Sequence, residues 1–522
     1  MAESQILSVE NVDVGINSTM PSNKVVWSTG RNIRFTPGFV SKTPGKKNIA
    51  TLPVSSLNLR AAFTFVAFDG NVYTILCTDA KIYAANRDYT TISDITPTTA
   101  PTGGYYDLWE FCIVAGLPIL TNGKDVIWKW DDLDSILVPL LNAPLAKHIS
   151  CSMHQLVCSN IYMNGAWRYG RTEWSGVGKP EFWTIDKTRK SGYQDLNDYY
   201  GASTSRQNIL CQISEGSKVY YFTEKNLWVC DFAQAKKQFF IVDGAVELAS
   251  PKSACNYGGS IYAICKDDVY KYTNGAKTAI GLPIRKELYL GLNYLKLDTI
   301  FNFNVFGTSE VWFCVPMNSS ALPDTAYIFN TELNNWTICD CDFTCHALQY
   351  SKTVAWVNNS GIEVTWENDT DDTISWLGEF YRANPEDIVC DSLSHINKMD
   401  SGYNALNTSL TDTAIYGYIE TGDMSFAARP IQKVIEELFP ELAAQTLTNS
   451  LMIQVGCREN LSLAVRWNPA VSFRIGIDIY TDLRNYGSQG AFIRLRFYTN
   501  IKDSPWAMSS YAVTYSVSRR IR

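Results

Sequence analysis

Residues Gly258–Gly275 read GGSIYAICKDDVYKYTNG. A Gly-Gly pair opens a short apolar run, Lys266-Asp267-Asp268 interrupts it, and a second run carrying Tyr270 and Tyr272 stops at Asn274-Gly275. Short β-branched and aromatic runs bounded by Gly, Asn and Asp mark antiparallel strands joined by a tight turn. The same grammar recurs in DGNVYTILCTDAKIYAAN (residues 69–86) and EGSKVYYFTEKNLWVCDF (residues 215–232). Looser copies begin at Phe111, His154, Ser309 and Lys352. Anchored near Tyr73, Val114, Val157, Tyr220, Tyr262, Trp312 and Trp356, the unit returns about every 40–50 residues, the period of propeller blades. One longer step, Arg168 to Gln207, reads as a loop on one face. A small twisted sheet cannot bury both faces alone, so such units stack. The pattern predicts an all-β chain: a β-propeller of about seven blades with an additional C-terminal antiparallel β domain.

The division that follows is an N-terminal strand and hairpin arm at 1–55, the propeller at 56–366, a polar loop or linker at 367–410 and the C-terminal β domain at 411–522. The last rests on fresh strand patterns such as AIYGYIETG (414–422), SLMIQVGC (450–457) and AFIRLRFYT (491–499). One segment, PIQKVIEELFPEL (430–442), is ambiguous. Ile431, Val434, Ile435 and Leu438 have helical spacing, yet Pro440 limits a helix to about two turns, so helix and strand both stay open.

Composition narrows the function classes. The chain has 522 residues, 46% hydrophobic and 19% charged, which is globular rather than disordered. Its formal net charge is −7, against the basic balance of proteins that grip DNA through phosphates. The N-terminus lacks a basic flank followed by an apolar run, so no signal peptide is expected. The most apolar stretch, Trp109 to Leu120, is short and broken by Gly116 and Pro118, so no membrane insertion is expected. The 14 cysteines are expected to be buried, reduced thiols.

The stretch Trp27–Lys47, WSTGRNIRFTPGFVSKTPGKK, raises the question of a phosphate-binding loop. Spacing excludes it: counting back from Gly45, the first glycine of such a loop falls on Val40, and no Ser or Thr follows Lys46. Alternation across Asn32–Phe35, a turn at Thr36-Pro37-Gly38 and a return over Phe39–Lys42 predict a hairpin, expected to pack on β structure late in the chain. Two Cys/His strips have zinc-like ligand types: His148, Cys151, His154 and Cys158, and Cys339, Cys341, Cys345 and His346. Each is too compact, with no Gly or Pro turn between ligands, to close a tetrahedron, and no metal is expected. Calcium is not expected at Asp369–Trp376, where Ile374 holds the position that needs Gly. The sequence has four His and no Gly-x-Ser-x-Gly elbow, so no catalytic residue and no cofactor are assigned. The basic end, Arg519, Arg520 and Arg522, suits either a solvated tail or a contact to phosphates or an acidic partner.

VVWSTGRNIRFTPGFVSKTPG (25–45) resembles the amino-terminal signature of the tail nozzle or hub proteins of short-tailed bacteriophages, also described as packaged-DNA stabilisation or tail tubular B-like proteins. The residues that carry the likeness are Trp27, Gly30, Asn32, Ile33, Arg34, Phe35, Gly38 and Gly45. ILTNGKDVIWKWD (119–131), TEWSGVGKPEFW (172–183) and GAFIRLRFYT (490–499) are similar to later family segments, in the expected order. The resemblance implies a structural virion protein and no enzyme. It would form a homohexameric ring that continues the DNA channel below the portal or adaptor and helps retain, then release, the genome. Implied partners are phage adaptor or portal-side proteins and tail fibre or needle proteins, with double-stranded DNA passing transiently. The implied location is the virion tail, after assembly in the host cytoplasm. A glycan-degrading propeller enzyme and a tail-tip receptor-binding module are the alternatives.

Overall fold

The computed structural model describes residues 4–18, 27–54, 58–67, 70–104, 107–131, 135–196, 208–349, 385–426, 431–443 and 449–517. Among the described residues, seven four-stranded antiparallel sheets follow one another along the chain. Blades 1 to 6 span 59–94, 110–139, 145–195, 209–243, 254–279 and 301–340. Blade 7 combines Phe343–Gln349, Glu386–Asp391 and His395–Lys398 with Lys47–Thr51 from near the N-terminus. In each blade the first strand is innermost and the second is packed on both faces. That burial makes second strands such as Lys218–Thr223, Ser260–Ile264 and Glu310–Val315 read as continuous apolar runs.

Two boundaries differ from the sequence expectation. The polar segment 367–410 is not wholly a linker, because Glu386–Asp391 and His395–Lys398 are central strands of blade 7. Lys47–Thr51 belongs to the propeller rather than to the arm. The ring thus closes by pairing chain-distant strands, which removes exposed edges. The long step 168–207 is not simply a loop: strands Ala166–Trp174 and Gly192–Asp195 complete blade 3 within it. The copy at 352–366, the anchor Trp356, the calcium-like segment 369–376 and the basic end at 519–522 lie outside the described residues.

Beyond the propeller two sheets face each other. One pairs Ala507–Val517 with Lys433–Leu442, with hairpin strand Phe39–Lys42 and with Ser4–Val9. The other runs Trp27–Arg31, Gly417–Thr421, Phe492–Thr499, Ser450–Arg458. Between them Tyr511 meets Trp27 and Phe497, with ring centroids 6.0 and 5.4 Å away. The ambiguous segment is a strand. Its register shifts between Ile435 and Glu437, so the bulge places Ile435 and Leu438 on one buried face at a spacing that mimics a helix. The opposite ladder, to Thr481–Asp482, ends at Leu438, so Pro440 lies beyond it.

Candidate functional site

The signature stretch sits where the propeller meets the two-sheet domain. Asn32 adopts a left-handed backbone, φ 56°, between strands Trp27–Arg31 and Ile33–Thr36. Its backbone N–H donates to Ile338 O of blade 6 (2.9 Å), and its carbonyl accepts from Thr43 N (3.0 Å). Its side-chain amide donates to Tyr416 O (2.9 Å) and Asp340 Oδ2 (2.5 Å), while Asp340 N returns a bond to Asn32 Oδ1 (2.8 Å). One asparagine therefore joins blade 6, the hairpin and the C-terminal domain. Asn is among the few side chains that tolerate this φ, because its short polar group bonds locally.

Arg34 forms the buried centre of the joint. Its guanidinium reaches Glu310 Oε1 at 2.9 Å and Oε2 at 3.2 Å, and Asp400 Oδ2 at 2.7 Å. Trp312 Nε1 also donates to Glu310 Oε2 (3.0 Å). Burial works against the charge, but Glu310 and Asp400 outweigh it and raise the proton affinity of Arg34. Gly45 is required by space: a Cβ there would lie 2.0 Å from Asn404 O, a backbone atom. Gly38 is required by conformation, φ +78°, at the hairpin turn. The two glycines serve a turn and a close crossing. A cavity of about 370 Å³ adjoins the joint, lined by Pro44, Cys341, Phe343, Met399 and Tyr416 among others.

Lys42 is buried beside the same joint, its ammonium aimed at Ser504 O and Ile501 O (3.3 and 3.4 Å). Burial lowers its pKa to about 8, with Asp503 opposing. Below pH 8 the lysine is charged both folded and unfolded, and the folded state bears the full cost of burying the charge. Between about pH 8 and 10.5 the unfolded chain binds more protons, so the contribution of Lys42 to stability rises with pH. Stability measured for wild type and Lys42→Met should therefore shift in favour of wild type by about 3 kcal/mol from pH 7 to 10.5. Parallel pH profiles for the two proteins would refute this.

The second site is the propeller axis. The innermost strands of all seven blades enclose a chamber of about 570 Å³. Neighbouring inner strands are tied around the circle. Phe63 stacks on Phe111 (centroids 5.0 Å apart), and Glu110 takes bonds from His148 Nδ1 and Ile149 N, both at 2.7 Å. Gln212 Nε2 donates to Ser150 Oγ (2.5 Å), Asn256 Nδ2 to Ser214 O (3.1 Å) and Asn302 Nδ2 to Ser253 O (2.5 Å). Phe303 stacks on His346 (4.3 Å), and Thr64 Oγ1 donates to Leu348 O (2.6 Å), which closes the circle. These polar ties are why the inner strands carry a weaker apolar signal than the second strands.

Neither Cys/His strip gathers into a site. The first is not one extended strand: Met153 and His154, at φ 48° and 59°, turn the chain between Leu145–Ser152 and Gln155–Met163. Two successive positive φ values suit a tight hairpin turn, here made without glycine. His148 bonds to Glu110, His154 is exposed at the turn, and Cys158 is buried opposite Ile149. In the second strip Cys339 and Cys341 belong to the blade 6 core, Cys345 to that between blades 7 and 1, and His346 bonds Asp387 at 2.8 Å. Among the described residues no group of three His, Cys, Asp or Glu is placed to hold a metal ion. Sequence reasoning missed Glu310, Asp400 and Lys252, for which spacing offers no signal.

No family model and no curated protein match the chain. Among solved structures it is similar to the N-terminal domain of Nup159, at 10% identity over 73% of this chain and 99% of that one, TM-score 0.37. It is also similar to YCF48 bound to a D1 peptide, at 8% identity over 69% and 97% of the two chains, TM-score 0.37. The AfRom2 CNH domain covers 68% of this chain at 8% identity, with 99% of its own length matched and a TM-score of 0.37. At these scores the likenesses carry no argument about activity or partners.

Proposed function

We propose that this chain is a structural protein of a short-tailed phage tail, a nozzle or hub in which six copies form a ring around the genome exit path. The observation that supports the reading is where the signature residues fall. Asn32, Arg34 and Gly45, which carry the family resemblance, are the residues that lock propeller to C-terminal domain. A subunit that must keep its place in a pressurised conduit needs two modules held as one piece, and a buried, multiply bonded joint supplies that. The acidic balance suits a wall that DNA must slide past, since phosphate affinity needs clustered Lys and Arg. The neighbours in the particle would be adaptor or portal-side proteins above and fibre or needle proteins below. Particle reconstruction is expected to place the chain in a six-fold ring on the tail axis, with little duplex retained in filter binding at physiological salt. Separate peripheral trimers would overturn the reading in favour of receptor binding.

A further inference from the structure

We propose that Cys345 and Cys390 form a redox-reactive pair, in which Cys345 attacks a small disulfide entering the axial chamber and Cys390 resolves the adduct into a cross-strand disulfide. The two cysteines are direct register partners on the antiparallel strands Phe343–Gln349 and Glu386–Asp391 of blade 7. Directly opposed residues have Cα atoms about 4.5 or 5.5 Å apart and side chains on one face. A disulfide asks for about 4.4–6.8 Å, a span that directly opposed positions meet. The two cysteines share one core with Leu59, Leu76 and Ile396.

The partners are unequal. Cys345 is among the residues that line the axial chamber and keeps 6% of its surface exposed, whereas Cys390 is fully buried. Lys252 lines the same chamber, where burial lowers its pKa. Cys345 and burial push the Cys390 thiol well up, which leaves Cys390 the weaker nucleophile toward an outside reagent.

With hydroxyethyl disulfide as the oxidant, the Cys345 thiolate forms a new S–S bond to one of its sulfurs while the reagent's own S–S bond breaks. The departing mercaptoethanol thiolate takes up the proton that Cys345 released. Cys390 then attacks Cys345 sulfur, loses its proton, and expels the second mercaptoethanol. Two protein thiols are oxidised and one reagent disulfide is reduced to two thiols.

The test is peptide mapping by mass spectrometry after the folded protein meets hydroxyethyl disulfide at neutral pH. The expected product is a Cys345–Cys390 linkage, lighter by two hydrogens. Cys390→Ser should instead trap a stable mixed disulfide on Cys345, and Cys345→Ser should leave Cys390 unmodified. Both cysteines staying reduced in the folded wild type, or Cys345 linking to Cys77, would overturn the pairing.

Discussion

Arg34→Ala should destabilise the protein by about 3–5 kcal/mol, because removing one partner of a buried ion cluster strands the others. Glu310, only 1% exposed, would keep Trp312 Nε1 as a neutral donor and lose its cation, and Asp400 would lose its guanidinium bond. The loss should appear in denaturant unfolding followed by tryptophan fluorescence. A double change, Arg34→Met with Glu310→Leu, should recover much of it, since a well-packed apolar pair avoids the desolvation cost of charges. A drop below about 1 kcal/mol for Arg34→Ala would mean that water reaches the cluster and screens it.

Removing residues 1–51 should leave the remainder insoluble or aggregated. The deletion strips Lys47–Thr51 from blade 7, Trp27–Arg31 from Gly417–Thr421, and both Phe39–Lys42 and Ser4–Val9 from Ala507–Val517. Strand edges then lie open in both modules, and unpaired edges template association. The same cut removes Trp27, Ile33, Phe35 and Val40 from the largest apolar core. Size-exclusion chromatography reads the outcome. A soluble, monodisperse product that elutes as wild type does would show that the N-terminal strands are dispensable for closure.

The opening repeat was legible because a blade's second strand is packed on both sides. Ser260–Ile264 is buried at every position, and such a strand reads as an apolar run whatever surrounds it. Inner strands were harder to see, since residues such as Gln212, Asn256 and Asn302 face a chamber and neighbouring blades rather than a dry core. The Lys433–Leu442 strand was ambiguous because its bulge restores a three-residue spacing. Met153-His154 hid a hairpin because the turn uses residues that seldom adopt positive φ.

By itself the sequence determined that the chain is built of short repeated antiparallel units, that a hairpin precedes them, and that the Gly45 region lacks the spacing of a phosphate loop. Those are local properties: strand pattern, turn chemistry and motif spacing act over a few residues. Tertiary structure alone decided that Lys47–Thr51 closes blade 7, that Arg34 meets Glu310 and Asp400, and that Cys345 faces Cys390. Such contacts join residues tens to hundreds of positions apart. Burial and ring closure choose those partners, and a linear pattern has no term for either.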